Sequence, residues 1–279
     1  MSINQLNCIV MMNNNLVVFT MNNEEYYYDE YADMPSKSEI AQWQKATKEW
    51  EKSQLHHQLA RTHLKDYEAS YFRITKQDID ELVSSIENSD KEEDVQQFLQ
   101  SHPTILTHYL GGGHGRYCIP KRSLGGMFIP DFLLADLSSL GLNWYAVELE
   151  NPKARMFNKN GDPSHSLNHA IRQIRDWRDW LKNNLDEARR LQQDKGHSLI
   201  GIEPELECLI LIGRRRDLDE TLRDARRRMN REINGEIHTY DWLIEQAKNE
   251  LVRVETRELG RKIREELGIE LKSRHLEDI

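Results

Sequence analysis

The sequence predicts an α/β fold, with a mixed sheet covered by helices on both faces. Short apolar runs of strand length lie between longer segments in which apolar residues recur every three to four positions. From residue 76 onward the predicted order is helix, strand, strand, strand, helix, strand, with further helices appended. We expect residues 1–75 to form an N-terminal module, 76–256 the main domain and 257–279 a charged helical tail.

The N-terminal module is predicted to begin with a β-hairpin. Residues 8–12 and 16–21 are apolar runs that flank a polar turn of three asparagines. A further extended segment is expected at 24–31, and apolar residues spaced among many charges predict a helix over 38–71. We recognise no catalytic motif in this module, so we expect it to have a sensing, regulatory or oligomerisation role.

The main domain begins with two predicted helices and three predicted strands. Thr75 has the character of a helix N-cap, and a second helix is expected at 91–101. Residues 116–119 are a candidate first strand. The two strands that follow, at 127–135 and 142–150, are joined by a connection of hairpin length, so we expect them to be neighbours.

The later elements are one long helix, one buried strand and three shorter segments. Ser164 or Ser166 can cap a helix that reaches Leu191, because its apolar residues follow a 3.6-residue period. Residues 205–213 form the clearest buried strand in the chain. The remaining helix, strand and helix are expected at 219–231, 236–240 and 241–254.

The composition excludes several classes of protein. Hydrophobic residues make up 38% and charged residues 30% of the chain, and no segment approaches the ~20 apolar residues that span a membrane. The three cysteines, Cys8, Cys118 and Cys208, are scattered, which argues against a disulfide framework or a cysteine zinc site. We expect a cytoplasmic protein without a signal peptide. Its net charge of −9 does not by itself indicate nucleic-acid binding.

Acidic residues interrupt the second and third predicted strands. Asp131 follows Pro130, and Glu148 and Glu150 end the next apolar run. Side chains alternate along a strand, so Glu148 and Glu150 point to one face, and Asp131 can stand beside them if the hairpin register permits. Buried unpaired carboxylates are costly, and Mg²⁺ or Mn²⁺ would offset that cost. The alternative is that these acids form salt bridges on a solvent-facing strand.

With these motifs in place, the chain resembles a known family. Pro130-Asp131 followed by Glu148-x-Glu150, within the predicted order of elements, is similar to the PD-(D/E)XK nuclease core. More narrowly, the chain resembles the Shedu-type anti-phage defence nuclease, in its C-terminal domain, over roughly residues 91–254. The segments that carry this resemblance are 92–103, 130–134, 147–152 and 169–177. Their order and spacing together are more specific than any one of them.

The resemblance implies a restriction-endonuclease-like fold and a homo-oligomeric, metal-dependent DNA endonuclease that hydrolyses phosphodiester bonds. Asp131 and Glu148 would bind Mg²⁺ or Mn²⁺, and Glu92, on the helix expected at 91–101, would complete the site. Gln173 would match a glutamine that the family places on the helix after the core strands. His169 lies one turn before it, and a lone helical histidine is more often structural than catalytic.

The sequence departs from the family at the third motif position, where Glu150 replaces the usual lysine. A lysine would orient the attacking water and stabilise developing charge, whereas Glu150 could act as a general base or bind a second metal. Alternatively, Lys153, Arg155 or Lys159 could reach the site from the following loop, or activity could be lost. The second hypothesis is therefore a catalytically silent nucleic-acid-binding or sensor protein on a nuclease scaffold.

A basic stretch follows the last core strand. Residues 214–231 hold eight arginines and four acidic residues. Arginine forms bidentate hydrogen bonds with phosphate and keeps its charge. The candidate contacts to DNA phosphates are Arg214, Arg215, Arg216 and Lys153. The alternative is a solvated face on which these arginines pair with neighbouring acids.

Overall fold

The computed structural model describes residues 11–13, 16–21, 24–27, 37–69, 74–108, 110–111, 113–126, 128–218 and 220–267. The chain divides into two compact units, Met1–Trp50 and Glu51–Ile279. Residues 8–10 of the predicted hairpin and residues 268–279 of the predicted tail lie outside the described residues. None of the described helices is long and apolar enough to cross a membrane.

The first unit contains a small antiparallel sheet. Its strands are β1 (Met11–Asn13), β2 (Leu16–Met21) and β3 (Glu24–Tyr27), arranged in that order. The predicted hairpin and third extended segment are thus confirmed for the described residues. Helix α1 follows and spans Lys37–His63, so it ends before the predicted end at residue 71. A short 3-10 turn, Lys65–Tyr67, takes its place.

Five described strands of the second unit form one sheet. They are β4 (Gly115–Pro120), β5 (Phe132–Ser138), β6 (Gly141–Leu149), β7 (Glu207–Leu211) and β8 (Gly235–His238). The strand order in the sheet follows the chain. The pairs β4–β5 and β5–β6 are antiparallel, whereas β6–β7 and β7–β8 are parallel. The predicted mixed sheet is therefore confirmed, and each parallel pair needs a crossover connection.

Helices supply those crossovers and cover the sheet. The described helices are α2 (Lys76–Asn88), α3 (Glu92–Ser101), α4 (Thr104–Thr107), α5 (His165–Arg189), α6 (Glu220–Glu232) and α7 (Tyr240–Glu266). Thr75 caps α2 through reciprocal hydrogen bonds with Asp78, and Ser164 caps α5 by accepting from the backbone of Leu167. The sequence does not predict α4. Helix α7 is continuous where the sequence predicts a helix and a separate tail.

Two hydrophobic cores lie against the two faces of the sheet. Helix α5 contributes Ile174 to the first core, and α7 contributes Leu243 to the second, which also holds residues of α2 and α3. Along β6, Ala146 belongs to the first core and Val147 to the second. Because side chains alternate along a strand, Glu148 lies on the same face as Ala146, which is the α5 side.

Strand β5 starts later and runs further than the predicted strand at 127–135. It spans Phe132–Ser138, so Pro130 and Asp131 precede the strand instead of interrupting it. The reason is that proline has no N–H to donate to a ladder. The connection to β6 is correspondingly a tight turn that ends at Gly141, whose φ of +112° lies in a region that favours glycine.

Candidate active site

Asp131 lies at the entrance to β5, with hydrogen bonds to both of its carboxylate oxygens. Its Oδ2 accepts from the backbone N–H of Leu149 at 2.8 Å, at the end of β6. Its Oδ1 accepts from the ammonium of Lys121, the residue that follows β4. The Asp131 side chain is 7% exposed. This carboxylate therefore joins the ends of three adjacent strands.

Glu148 is a buried carboxylate near the end of β6. The residue is 5% exposed, and no described residue forms a hydrogen bond with its buried Oε2. Burial raises the pKa of Glu148 well above its usual range, and the carboxylates of Asp131 and Glu150 raise it further. A proton or a cation at this position would offset the cost of the buried charge.

Glu150 is held by helix α5. Its backbone N–H donates to the carbonyl of Leu211 at 2.8 Å, which extends the ladder between β6 and β7. Its Oε1 lies 3.0 Å from Nδ1 of His169. Burial raises the pKa of Glu150, while the hydrogen bonds from His169 and Ser166 act to lower it. The hydroxyl of Tyr240, which is fully buried, donates to the Glu150 carbonyl at 2.9 Å.

Glu92, the first residue of α3, joins the same group of acids. It is half-buried, whereas Glu93 is exposed, as the helical spacing predicts. Burial raises the pKa of Glu92 to about 7, and the charges of Glu150 and Asp131 add to this effect. These acids are carried by α3, by the residue before β5 and by the end of β6. Helix α3 is distant in sequence from both strands, so tertiary packing concentrates the negative charge.

The donor set fits a hard divalent cation. Carboxylate oxygens are the ligands that Mg²⁺ and Mn²⁺ prefer, and Mg²⁺ is often held by one or two carboxylates and several waters. In the part of the chain that the structure describes, no three His, Cys, Asp or Glu side chains are already arranged to hold a metal. Lys121 occupies Oδ1 of Asp131, while Oε2 of Glu148 remains available. A cation would therefore have to displace the Lys121 ammonium in order to use Asp131 fully.

Gln173 and Lys153 occupy different surroundings. Gln173 lies on α5, one turn after His169, and its buried Oε1 has no hydrogen-bond partner among the described residues. Lys153 is exposed, and its ammonium lies 2.6 Å from the carboxylate of Asp90. Gln173 thus has a free acceptor for a ligand, whereas Lys153 is engaged outside the acidic group.

The predicted phosphate-binding arginines are partly engaged with α7. Arg214 forms a bidentate ion pair with Asp241, with its Nη2 at 2.9 Å from Oδ1. Arg215 likewise pairs with Glu245 through both of its terminal nitrogens. Arg216 is exposed. For Arg214 and Arg215 the pairing acids lie on α7 and are not neighbours in sequence.

Sequence reasoning missed two residues of this site, Lys121 and Tyr240. The signal for Lys121 is its place directly after a candidate strand, but only the register of β4 against β5 brings it opposite Asp131. Tyr240 begins α7, whereas the sequence predicts it as the last residue of a strand at 236–240. The structure also gives His169, which the sequence marks as structural, a direct contact with Glu150.

Comparison with known proteins identifies the family. A solved structure described as restriction endonuclease FokI bound to DNA is similar to this chain, with 13% identity and a TM-score of 0.38. The similarity covers 91% of this chain and 38% of that one, so this chain spans less than half of its length. No protein of curated function gives a significant match. The profile of the family described as Shedu protein SduA, C-terminal, matches residues 89–244. That match covers more than half of the chain and confirms the resemblance in the sequence: the chain belongs to the Shedu family.

Proposed function

We propose that this protein is a metal-dependent DNA endonuclease that hydrolyses phosphodiester bonds in anti-phage defence. The observation that carries the proposal is the Glu148 carboxylate. It is 5% exposed, it lies among the carboxylates of Asp131, Glu150 and Glu92, and its Oε2 receives no hydrogen bond from a described residue. Four acids around a buried site destabilise the fold unless protons or cations offset their charge. A cation-binding function accounts for their presence.

The order of elements supports a PD-(D/E)XK restriction-endonuclease-like core. Helix α3 is followed by β4, β5 and β6, then by α5 and β7, which is the order that the sequence resemblance implies. The acids lie where β5 begins and where β6 ends. The proposal thus places the reaction at one end of the sheet, next to the N-terminal half of α5.

Asp131, Glu148 and Glu92 would hold Mg²⁺ or Mn²⁺ in this proposal. When bound, such a cation polarises the scissile phosphate and stabilises the charge that develops on it. Glu150 accepts a proton from the attacking water, with its carboxylate positioned by His169. The water oxygen forms a bond to phosphorus, the bond from phosphorus to the leaving sugar oxygen breaks, and that oxygen takes up a proton from solvent.

Other predicted residues would bind the nucleic acid. Gln173 offers its side-chain amide to the phosphate or the attacking water. Arg216 would bind the DNA backbone, together with the predicted contacts Arg214, Arg215 and Lys153. Each of these three forms an ion pair with an acid, which it would break or share with the phosphate. Residues 1–75 would sense or regulate, and the protein would act as a cytoplasmic homo-oligomer. These roles are proposals that extend the family resemblance.

Cleavage of supercoiled and linear DNA by the purified full chain tests the proposed function. Wild-type protein should cut with Mg²⁺ or Mn²⁺ and stop in EDTA. Asp131→Asn and Glu148→Gln should each cut at least about 100-fold more slowly, because each removes a ligand of the reacting centre. Asp179→Asn, at an exposed position on α5, is the matched control and should cut normally. Equal cutting by all four proteins would refute the site.

A catalytically silent nucleic-acid-binding or sensor protein is the second candidate. It is favoured by Glu150, which stands where the resemblance implies a lysine. Calorimetry with Mn²⁺, beside a DNA-binding assay, separates the two candidates. Binding of DNA without any uptake of Mn²⁺ and without cutting would support the silent protein. Uptake of Mn²⁺ that Glu148→Gln abolishes would support the nuclease.

A further inference from the structure

We propose that Lys121 is the active-site lysine of this protein and that its ammonium contacts the scissile phosphate. The proposal rests on the proposed nuclease function and adds a catalytic residue to it. In the sequence motif, the lysine position is occupied by Glu150. The structure supplies an ammonium to the same group of acids from another element, the end of β4.

Lys121 is held against Asp131 by backbone as well as side chain. Its backbone N–H donates to the Asp131 carbonyl at 3.0 Å, which continues the β4–β5 ladder by one step. Its Nζ donates to Oδ1 of the same residue. Its φ of +46° lies in the left-handed region, which costs a non-glycine residue on the order of 1 kcal/mol. A strained lysine at this point is consistent with a functional position.

The Lys121 side chain lies between the buried acids and solvent. The charges of Glu148 and Glu92 act on its ammonium in addition to that of Asp131. The Lys121 side chain is 45% exposed, whereas that of Asp131 is 7% exposed. A phosphate that approaches the acids from solvent would therefore meet this ammonium. Lys153, which follows the motif in sequence, is instead paired with Asp90.

Binding of a divalent cation would release the Lys121 ammonium from Asp131 without moving it far. Oδ1 of Asp131 cannot fully serve both cations, and lysine carries its charge on a flexible four-carbon stem. The released ammonium has three donors for the non-bridging oxygens of the phosphate. Lys121 would then stabilise the charge that grows on these oxygens during hydrolysis. Removal of one such preorganised donor typically lowers the rate about 100- to 1,000-fold.

The experiment compares cutting with metal binding in the same variants. Lys121→Met should cut DNA at least about 100-fold more slowly. It should bind Mn²⁺ no more weakly than wild type in calorimetry, because a competing ammonium has been removed. Lys182→Met is the matched control. Its side chain is 50% exposed, and it lies about 20 Å further along α5 than His169.

Chemical restoration of the amine distinguishes catalysis from folding. Lys121→Cys should be slow, and alkylation of its thiol by 2-bromoethylamine should restore cutting, while the same treatment leaves wild type unchanged. Cutting by Lys121→Met within threefold of wild type would overturn the proposal. The proposal would also be overturned if Lys121→Met failed to bind Mn²⁺ and alkylated Lys121→Cys failed to regain cutting. Lys121 would then have a structural role. Loss of cutting in Glu148→Gln, with wild type active, would still support the nuclease in either case.

Discussion

Nδ1 of His169 lies 3.0 Å from Oε1 of Glu150, which links helix α5 to the end of β6. Ser166, one turn earlier on the same helix, also forms a hydrogen bond with this carboxylate. The residue at the motif's lysine position is therefore not a loose acid on the surface. It is held by a helix, so its oxygens are positioned before any substrate arrives.

Loss of the His169 contact should slow cutting. His169→Ala removes the group that orients Glu150, and supporting contacts of this kind are typically worth about 10- to 100-fold in activity. Because the two residues act through one contact, the double variant with Glu150→Gln should be no slower than Glu150→Gln alone. Initial rates at saturating Mn²⁺ measure both effects. Fully additive losses would show that His169 does not act through Glu150.

Neutralising Glu148 should stabilise the metal-free protein. Glu148→Gln removes a buried charge whose Oε2 receives no hydrogen bond in the described part of the chain, a change worth about 1–3 kcal/mol. In EDTA at pH 8, the melting temperature should rise by a few degrees. Excess Mn²⁺ should raise the melting temperature of wild type but not that of the variant. A lower melting temperature in EDTA would contradict an uncompensated charge at this position.

The metal-free protein should lose stability as the pH rises from about 5 to 8. The pKa of Glu92 is raised from 4.5 to about 7 on folding, so between these values the folded state binds more protons than the unfolded state. The free energy of unfolding therefore falls with rising pH in this window, and the raised pKa of Glu148 extends the fall upward. Chemical denaturation in EDTA at a series of pH values measures this change in the free energy of unfolding.

A matched variant assigns this pH dependence to the acids. Glu92→Gln should flatten the slope of the unfolding free energy between pH 5 and 7, because it removes one of the groups that titrate there. Excess Mn²⁺ should flatten the slope in wild type too, by favouring the ionised carboxylates. A slope in Glu92→Gln that equals the wild-type slope would show that Glu92 titrates normally.

Arg216 and Arg214 should differ in what they contribute. Arg216 is exposed, so Arg216→Ala should weaken DNA binding and reduce its salt dependence by about one unit of slope. Arg214→Ala should in addition lower stability by about 1–3 kcal/mol, since it breaks the bidentate pair with Asp241. Binding titrations in EDTA at several salt concentrations, with exposed Arg257→Ala as the control, measure the first effect. Equal salt slopes for Arg216→Ala and Arg257→Ala would refute it.

Much of the fold follows from local patterns. A short apolar run predicts β6, and a 3.6-residue period with a serine cap predicts α5, because these patterns are properties of the single element. The start of β5 is less predictable. The apolar run extends upstream of Phe132, but Pro130 cannot donate to the ladder, so the strand begins after it.

By itself, the sequence determined the order of elements, the family and the acids at Asp131 and Glu148. Only the tertiary structure decided which side chains contact the acids of the site. The β4–β5 register places Lys121 opposite Asp131, and the packing of α5 brings His169 to Glu150. Such contacts depend on register and on the placement of helices over the sheet. Those quantities are set by the packing of distant residues, so no local pattern encodes them.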